Sequence, residues 1–183
     1  MQKLLMSATQ MPEVIRQIAR EIVDAGFPGG YALVGIHEEG VPLSEKIADE
    51  IEKMGGCRPP LAKLDISMYR DDIGKTKHLP RIRETDIPFD INDRTLILVD
   101  DVLSSGRTIR AALDAINDYG RPALIRLAVL IDRGNPEYPI RADYVGKKIE
   151  LPPDHRITVR FEGEGDPGVF DELWLDKHPS VKE

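Results

Sequence analysis

The chain has almost no cysteine and no long apolar run, and each absence excludes a class of protein. Cys57 is the single cysteine among 183 residues, so the sequence predicts neither an intramolecular disulfide nor a multi-cysteine metal site. No apolar run approaches the roughly 18 residues that span a membrane. The N-terminus also lacks the longer apolar core of a signal peptide. We therefore expect no membrane partner, a cytoplasmic location by default, and an N-terminal strand or arm leading into a helix.

Positive charge is also scarce. The net charge is −7, with 25 Lys and Arg against 32 Asp and Glu. Because phosphate neutralisation needs clustered Lys and Arg, this balance argues against a general nucleic-acid binder, although a local basic face remains compatible with it. The acidic stretch 162–166 is rich in glycine and predicts a solvated turn. The length and the lack of internal repeats predict a single domain over residues 1–183.

The middle of the chain alternates apolar strands with amphipathic helices, which predicts an α/β fold. We expect a central, mostly parallel sheet flanked by helices, with a β-rich C-terminal tail. The long, charged segment 69–93 is poorly periodic and is typical of an active-site lid or flexible hood loop. The predicted helices are 12–26, 42–54 and 107–119, and the predicted strands are 31–36, 61–68, 95–100, 123–131, 142–146, 157–161 and 170–175.

The segment VDDVLSSGRT, at 99–108, carries the clearest chemical signal. Ligands of open α/β sheets bind beyond the carboxyl ends of the strands, and this segment lies at such an end. Its Ser-Ser-Gly-Arg-Thr turn leads into a helix, where backbone N–H groups and hydroxyls favour a phosphate monoester. The predicted nucleotide-binding residues are Asp100, Asp101, Val102, Leu103, Ser104, Ser105, Gly106, Arg107 and Thr108.

The acid pair needs a partner other than phosphate, because carboxylates repel phosphate. Vicinal ribose hydroxyls fit Asp100 and Asp101, since carboxylates accept hydrogen bonds from hydroxyl groups. Adjacent strand residues face opposite sides. Both aspartates can therefore serve one ligand only if the strand ends there, and we predict its end at Asp100. A phosphate site beside a diol site predicts a ribose 5-phosphate ligand.

Three other classes of protein share part of this pattern. Metal-binding nucleotide hydrolases also end a strand in Asp-Asp, but they need a glycine-rich lysine loop, and 35–40 lacks the Lys-Ser/Thr that follows its second glycine. Phospho-receiver domains place their acids on an early strand and lack the Ser-Ser-Gly-Arg-Thr turn. A dinucleotide-binding fold needs G-x-G-x-x-G after its first strand, and that motif is absent.

The same segment resembles the signature of type I phosphoribosyltransferases, which bind 5-phosphoribosyl-1-pyrophosphate (PRPP). LVGIHEEGVPL, LDISMYRDDI, VDDVLSSGRT, GRPALIRLAVLIDRG and IRADYVGK together, over about 10–162, resemble the PyrR family. That family combines a uracil phosphoribosyltransferase with an RNA-binding attenuator of pyrimidine operons. The resemblance implies uracil and UMP as ligands, an mRNA partner, Mg²⁺ arriving with PRPP rather than on a direct protein site, and a homodimer or higher assembly.

The resemblance also implies roles for residues outside the phosphate loop. Arg70 joins the two aspartates as a catalytic residue, and Tyr69 and Arg70 close over pyrophosphate; an ordinary loop pair is the alternative. Tyr144 stacks on the base, or is a core aromatic. Related purine enzymes have an acid at the fifth motif position, so Ser104 favours a pyrimidine. The implied pyrophosphate loop is His37, Glu38, Glu39 and Gly40, and the implied base pocket is Arg133, Tyr144, Val145 and Ile157.

Two departures from the family leave alternatives open. Family members usually carry Thr-Arg at Glu38-Glu39, and two carboxylates facing a polyanion should weaken PRPP binding. Three interpretations follow. The loop binds pyrophosphate through its backbone, or the two glutamates reach pyrophosphate through Mg²⁺. In the third, catalysis is weak and the chain is a nucleotide sensor. The implied RNA face is Arg16, Arg20 and Arg141, with Arg126 as a further candidate. Asn135-Pro136 replaces the family's His-Arg, which removes positive charge. The arginines are then scattered surface residues as the alternative to an RNA face. The corresponding alternative function is a transferase, for uracil or another base, that does not bind RNA.

Overall fold

A computed structural model describes residues 3–7, 9–71, 82–152, 155–161 and 172–177. The acidic stretch 162–166, and residues 72–81 of the predicted hood loop, lie outside the described residues. The helices are α1 (Met11–Ala25), α2 (Gly40–Lys53) and α3 (Arg107–Ile116), and the strands are β1 (Lys3–Met6), β2 (Tyr31–Ile36), β3 (Leu61–Leu64), β4 (Thr95–Leu103), β5 (Leu124–Asp132), β6 (Tyr144–Lys148), β7 (His155–Arg160) and β8 (Glu172–Lys177).

The central sheet has five strands in the order β3-β2-β4-β5-β6, and all of its neighbouring pairs are parallel. Parallel sheets bury both faces, which is why the strands read as continuous apolar runs. Leu33, Ile97 and Val99 face a core layer formed with α1 and α2. Leu96 and Leu98 point the other way, into a layer formed with α3. The predicted sheet with helices on both faces is confirmed.

A second sheet joins the two ends of the described chain. Strand β8 lies between β1 and β7 and is antiparallel to both, with Lys3 opposite Leu175 and His155 opposite Lys177. The predicted β-rich tail and N-terminal strand are therefore confirmed. Among the described residues, no helix is both long and apolar enough to cross a membrane.

Several observed boundaries near the site differ from the predicted ones, and three of the differences have a clear physical reason. Strand β4 continues to Leu103, which is 2% exposed, because β5 pairs with it beyond the acid pair. Strand β3 ends at Leu64 rather than at residue 68, and a 3₁₀ turn, Ser67–Tyr69, follows. Helix α3 ends at Ile116 rather than at residue 119, because the next residues close tighter i→i−3 hydrogen bonds.

The parallel arrangement brings three loops to one edge of the sheet. The loop 37–39 follows β2, the turn 104–106 follows β4, and Arg133 follows β5. Since all three strands point the same way, their carboxyl ends share this edge, where ligands of such sheets bind. The fold thus places the predicted phosphate, ribose and pyrophosphate residues next to one another.

Candidate active site

The turn after β4 is built to receive an anion. Gly106 has a φ of +88°, a left-handed conformation that glycine adopts without steric cost, and its carbonyl accepts the N–H of Arg110 at 2.9 Å. Within the described part of the chain, no acceptor is present for the backbone N–H groups of Ser104, Ser105 and Thr108. These donors open the N-terminus of α3, where the helix dipole favours negative charge. The turn can therefore bind a phosphate monoester, as the sequence predicts.

The segment after β5 holds this turn in place. The N–H groups of Glu137 and Tyr138 donate to the carbonyl of Ser105 at 2.9 and 3.1 Å. The guanidinium of Arg107 donates hydrogen bonds to Glu137 at 2.7 Å and to Asp71 at 2.6 Å. Because two carboxylates already pair with Arg107, the backbone and hydroxyls of the turn remain the main anion-binding groups.

The acid pair sits in a poorly solvated position beside the turn. Asp100 is 6% exposed, and Asp101 accepts the N–H of Val102 at 2.8 Å. Burial, followed by the neighbouring charge of Asp101, raises the pKa of Asp100 well above its usual value. Burial likewise raises the pKa of Asp101. Two neighbouring carboxyl groups that resist ionisation together are suited to binding hydroxyl groups of a ribose.

Strand β4 does not end between the two aspartates. It keeps its pairing with β5 through Val102 and Leu103, so the predicted strand end at Asp100 is wrong. After burial, the charge of Asp101 is the largest influence that raises the pKa of Asp100, so the two carboxyl groups lie near each other. That both serve one ligand stays a prediction.

The loop 37–40 lies directly against the acid pair. A Cβ added at Gly40 would lie 2.3 Å from the carbonyl oxygen of Val99 and 3.3 Å from the Cα of Asp100. Only glycine permits this approach. Glu39 is half-buried and precedes the first turn of α2, while the exposed Glu38 accepts a hydrogen bond from Arg83 at 2.8 Å. The implied pyrophosphate loop is thus adjacent to the implied ribose site.

Arg70 approaches the same site from the 3₁₀ turn, and Tyr69 does not. The positive charge of Arg70 acts on the carboxyl group of Asp100 and favours its ionised form. The Tyr69 hydroxyl instead hydrogen-bonds to Asp118 beyond α3, and this bond raises the pKa of Tyr69 to about 12. Closure of Arg70 over pyrophosphate stays a prediction, and Tyr69 would have to leave Asp118 to join it.

The four residues of the implied base pocket are not brought together. The Tyr144 ring is 8% exposed and Ile157 is 7% exposed, and both belong to the core layer under α1. The observed ring position supports the core interpretation of Tyr144 rather than stacking on a base. Val145 lies on the edge strand β6, level with Val129 of β5. Arg133 donates to the Ser104 hydroxyl at 3.2 Å, so it does lie at the nucleotide end of the site.

The arginines of the implied RNA face have unequal surroundings. Arg16 donates to Glu13 at 2.7 Å and to Glu50 at 3.0 Å, and these hydrogen bonds raise its pKa. Arg126 pairs with Asp143 at 2.9 Å. Arg20 and Arg141 are exposed and form no ion pair within the described ranges. The positive charge open to a polyanion therefore comes mainly from these last two residues.

Sequence reasoning missed two arginines that reach the site. Arg83 contacts Glu38 across 45 positions of sequence, and Arg156 of β7 places its positive charge near Asp101. Neither belongs to a motif, and each is placed by pairing between distant segments. For Arg83, the available signal was an arginine near the end of the long charged segment that also begins with Tyr69-Arg70.

Comparison with solved structures supports the fold. A hypoxanthine-guanine phosphoribosyltransferase from Bacillus anthracis aligns with a TM-score of 0.66 and 19% identity over 85% of this chain and 86% of that one. The hypoxanthine phosphoribosyltransferase of Trypanosoma cruzi aligns with a TM-score of 0.68 and 14% identity over 97% of both chains. At these identities the likeness establishes the type I phosphoribosyltransferase fold alone.

Comparison of sequences identifies the family. The model of the phosphoribosyl transferase domain matches residues 5–163. The "Bifunctional protein PyrR" of Roseiflexus sp. (strain RS-1) is 51% identical over 170 residues, which cover 92% of each chain. That of Thermus aquaticus is 48% identical over 172 residues, covering 93% of this chain and 94% of the relative. Together with the phosphate turn and the acid pair, these matches show that the chain is a phosphoribosyltransferase of the PyrR family.

Proposed function

We propose that the chain transfers the phosphoribosyl group of PRPP to uracil, forming UMP and pyrophosphate, and that it also binds pyrimidine-operon RNA in a UMP-dependent manner. One observation carries the transferase proposal: an anion-binding turn, a buried acid pair and a cavity lined by arginines follow one another along one edge of the sheet. PRPP presents its 5-phosphate, ribose diol and pyrophosphate in the same order.

The reaction is a displacement at the anomeric carbon. The C1–oxygen bond to pyrophosphate breaks, the bond from N1 of uracil to C1 forms, and the N1 proton is released. An oxocarbenium-like transition state develops positive charge on the ribose, while negative charge grows on the leaving pyrophosphate. The site must stabilise both charges and exclude water.

Different residues of the site would bind the phosphate, orient the ribose and neutralise the leaving group. The turn 104–108 anchors the 5-phosphate, and the acid pair orients the ribose hydroxyls and stabilises positive charge on the sugar. Arg70 lies where it can neutralise the departing pyrophosphate. Arg133 holds the hydroxyl of Ser104, at the position where related purine enzymes carry an acid. A neutral hydroxyl there supports a pyrimidine base.

Magnesium fits this site as a companion of PRPP. Mg²⁺ prefers oxygen ligands and is commonly held by one or two carboxylates together with substrate phosphates. Among the described residues, no cluster of three or more His, Cys, Asp or Glu side chains forms a protein-only cation site. The pyrophosphate and ribose oxygens of PRPP would hold the ion, without a direct protein ligand. When bound, it would offset charge on the leaving group.

To test this proposal, purified protein is mixed with PRPP, Mg²⁺ and one base at a time: uracil, hypoxanthine, guanine, adenine or orotate. The pyrophosphate and nucleotide formed are then measured. We expect turnover with uracil alone. Turnover with another base would overturn the choice of substrate. No turnover with any base, despite measurable binding of PRPP or UMP, would overturn the transferase proposal and leave a nucleotide-sensing regulator.

A further inference from the structure

The pyrophosphate loop carries no positive charge of its own, although the leaving group it borders is a polyanion. Glu38 and Glu39 bring two carboxylates to this corner, and the backbone contact of Gly40 fixes the loop beside Asp100. The negative charges of these carboxylates repel the negatively charged pyrophosphate and weaken its binding. A phosphoribosyl transfer at this site therefore needs a cation from another segment.

A cavity of about 350 Å³ opens next to this loop, and arginines from both ends of the hood segment line it. Arg70 comes from the start of that segment and Arg83 from its return. The wall also includes His37, Glu38 and Asp65. Because the loop 37–40 lines the cavity and also packs against Asp100, the cavity adjoins the acid pair. The cavity therefore has the position that a pyrophosphate group requires, and its two arginines offset the carboxylates of Glu38 and Asp65.

Backbone contacts fix Arg83 at this cavity independently of its side chain. Its N–H donates to Asp65 at 2.7 Å, and the Asp65 N–H donates to the Thr85 hydroxyl at 3.0 Å. Lys63 and Asp86 exchange two backbone hydrogen bonds, at 2.8 and 2.9 Å. Burial raises the pKa of Asp65, but hydrogen bonds from Ser67 and from the Arg83 N–H outweigh it and lower the pKa overall. The return of the hood segment is thus docked along β3.

Glu38 then orients the guanidinium. It accepts one hydrogen bond from Nη2 of Arg83 at 2.8 Å, and a guanidinium has five N–H donors. The Glu38 and Arg83 side chains are 61% and 37% exposed. An exposed ion pair of this kind adds little stability by itself. Its effect is to hold a flexible side chain in one direction while leaving donors for a second anion.

We propose that Arg83 is a second pyrophosphate-neutralising residue of this enzyme, alongside Arg70, and that Glu38 is a positioning residue that acts through Arg83. Glutamate in the loop is then compatible with turnover, because the missing positive charge is supplied by the return of the hood segment. The inference rests on the proposed function only in taking the pyrophosphate group of PRPP as the ligand of the cavity.

The test measures binding of inorganic pyrophosphate with Mg²⁺ by calorimetry, together with the KM for PRPP. We expect Arg83→Gln to weaken pyrophosphate binding about tenfold or more and to raise the KM for PRPP similarly, because a charge-assisted hydrogen bond is lost. UMP carries no pyrophosphate, so its affinity should stay within about twofold. Arg121→Gln, an exposed charge at the opposite edge of the sheet, is the matched control and should change neither value.

A double-mutant cycle with Glu38→Ala tests the positioning role. In the Arg83→Gln background, Glu38→Ala removes only repulsion and should tighten pyrophosphate binding. With Arg83 present, the same change should tighten binding less, or weaken it. If Glu38→Ala tightens binding more when Arg83 is present, Glu38 competes with pyrophosphate and its positioning role is overturned.

The two proposals fail in different ways. Unchanged pyrophosphate affinity in Arg83→Gln would overturn the role of Arg83 while uracil turnover by the unaltered protein still stands. Arg83-dependent binding of pyrophosphate by a protein that turns over no base would support the inference and overturn the transferase proposal.

Discussion

At the scale of single residues, the buried carboxyl group of Asp100 lowers the folding stability of the protein at neutral pH. Burial keeps the pKa of Asp100 well above its usual value. In the unfolded chain the same group ionises near its ordinary pKa of about 3.9. Above that pH the unfolded state binds fewer protons than the folded state, so folding stability falls as pH rises towards the raised pKa. The buried acid therefore lowers the folding stability of the protein at neutral pH.

Replacing the buried carboxyl with an amide should expose this cost. We expect Asp100→Asn to lose transferase activity and to gain about 1 kcal/mol of stability at pH 7, or roughly 2–4 °C in Tm for a chain of this size. Thermal melts between pH 4 and 8 should show the gain shrinking as pH falls towards 4. Asp24→Asn, on the exposed side of α1, is the control and should not change the melts. A variant less stable than the parent at pH 7 would contradict this account.

At the scale of elements, strand β1 shows how pairing decides which side chains are buried. Leu4 and Met6 are two positions apart and would share one face of a regular strand. The register with β8 shifts between them, and Leu4 is 41% exposed while Met6 is 2% exposed in the core. A bulge of this kind re-aims the side chains that follow it.

Truncating these two side chains should have different effects. Met6→Ala should lower the free energy of unfolding by about 2–4 kcal/mol, because it leaves a cavity in the core layer under α1. Leu4→Ala should cost less than about 1 kcal/mol. Urea unfolding of both variants measures the difference. Equal losses would mean that the register shift does not decide burial in β1.

The elements also show what local sequence determines. The five-stranded parallel sheet and the phosphate turn follow from contiguous patterns, so they were predictable. The extension of β4 to Leu103 was not, because it depends on pairing with β5. The same holds for Arg83, which reaches Glu38 through a β-bridge that no local pattern signals. Tyr144 had two interpretations in the sequence, and packing under α1 supports the core one.

At the scale of the whole molecule, RNA binding has to work against a net charge of −7. Arg16 and Arg126 already have acidic partners, whereas Arg20 and Arg141 are exposed and unpaired within the described residues. A homodimer or higher assembly would place two copies of this sparse charge on one particle. RNA affinity should therefore depend on few phosphate contacts per chain.

A filter-binding titration against salt, with pyrimidine-operon RNA and UMP present, tests this expectation. Arg20→Gln and Arg141→Gln should each reduce the slope of log affinity against log salt by about 1. Arg58→Gln is the control, since Asp49 and Glu52 already offset that charge. A protein whose RNA affinity does not change with salt makes no phosphate contacts, and the regulatory half of the proposal would then be wrong.

The antiparallel sheet has a consequence for how the molecule is made. Lys3 pairs with Leu175, so strand β1 leaves the ribosome before every strand of the parallel sheet but finds its partner only after β8 has been made. The parallel sheet needs neither strand and draws on residues 31–148. We expect the nucleotide-binding edge to assemble on the nascent chain first, and the sheet of β1, β8 and β7 to close last.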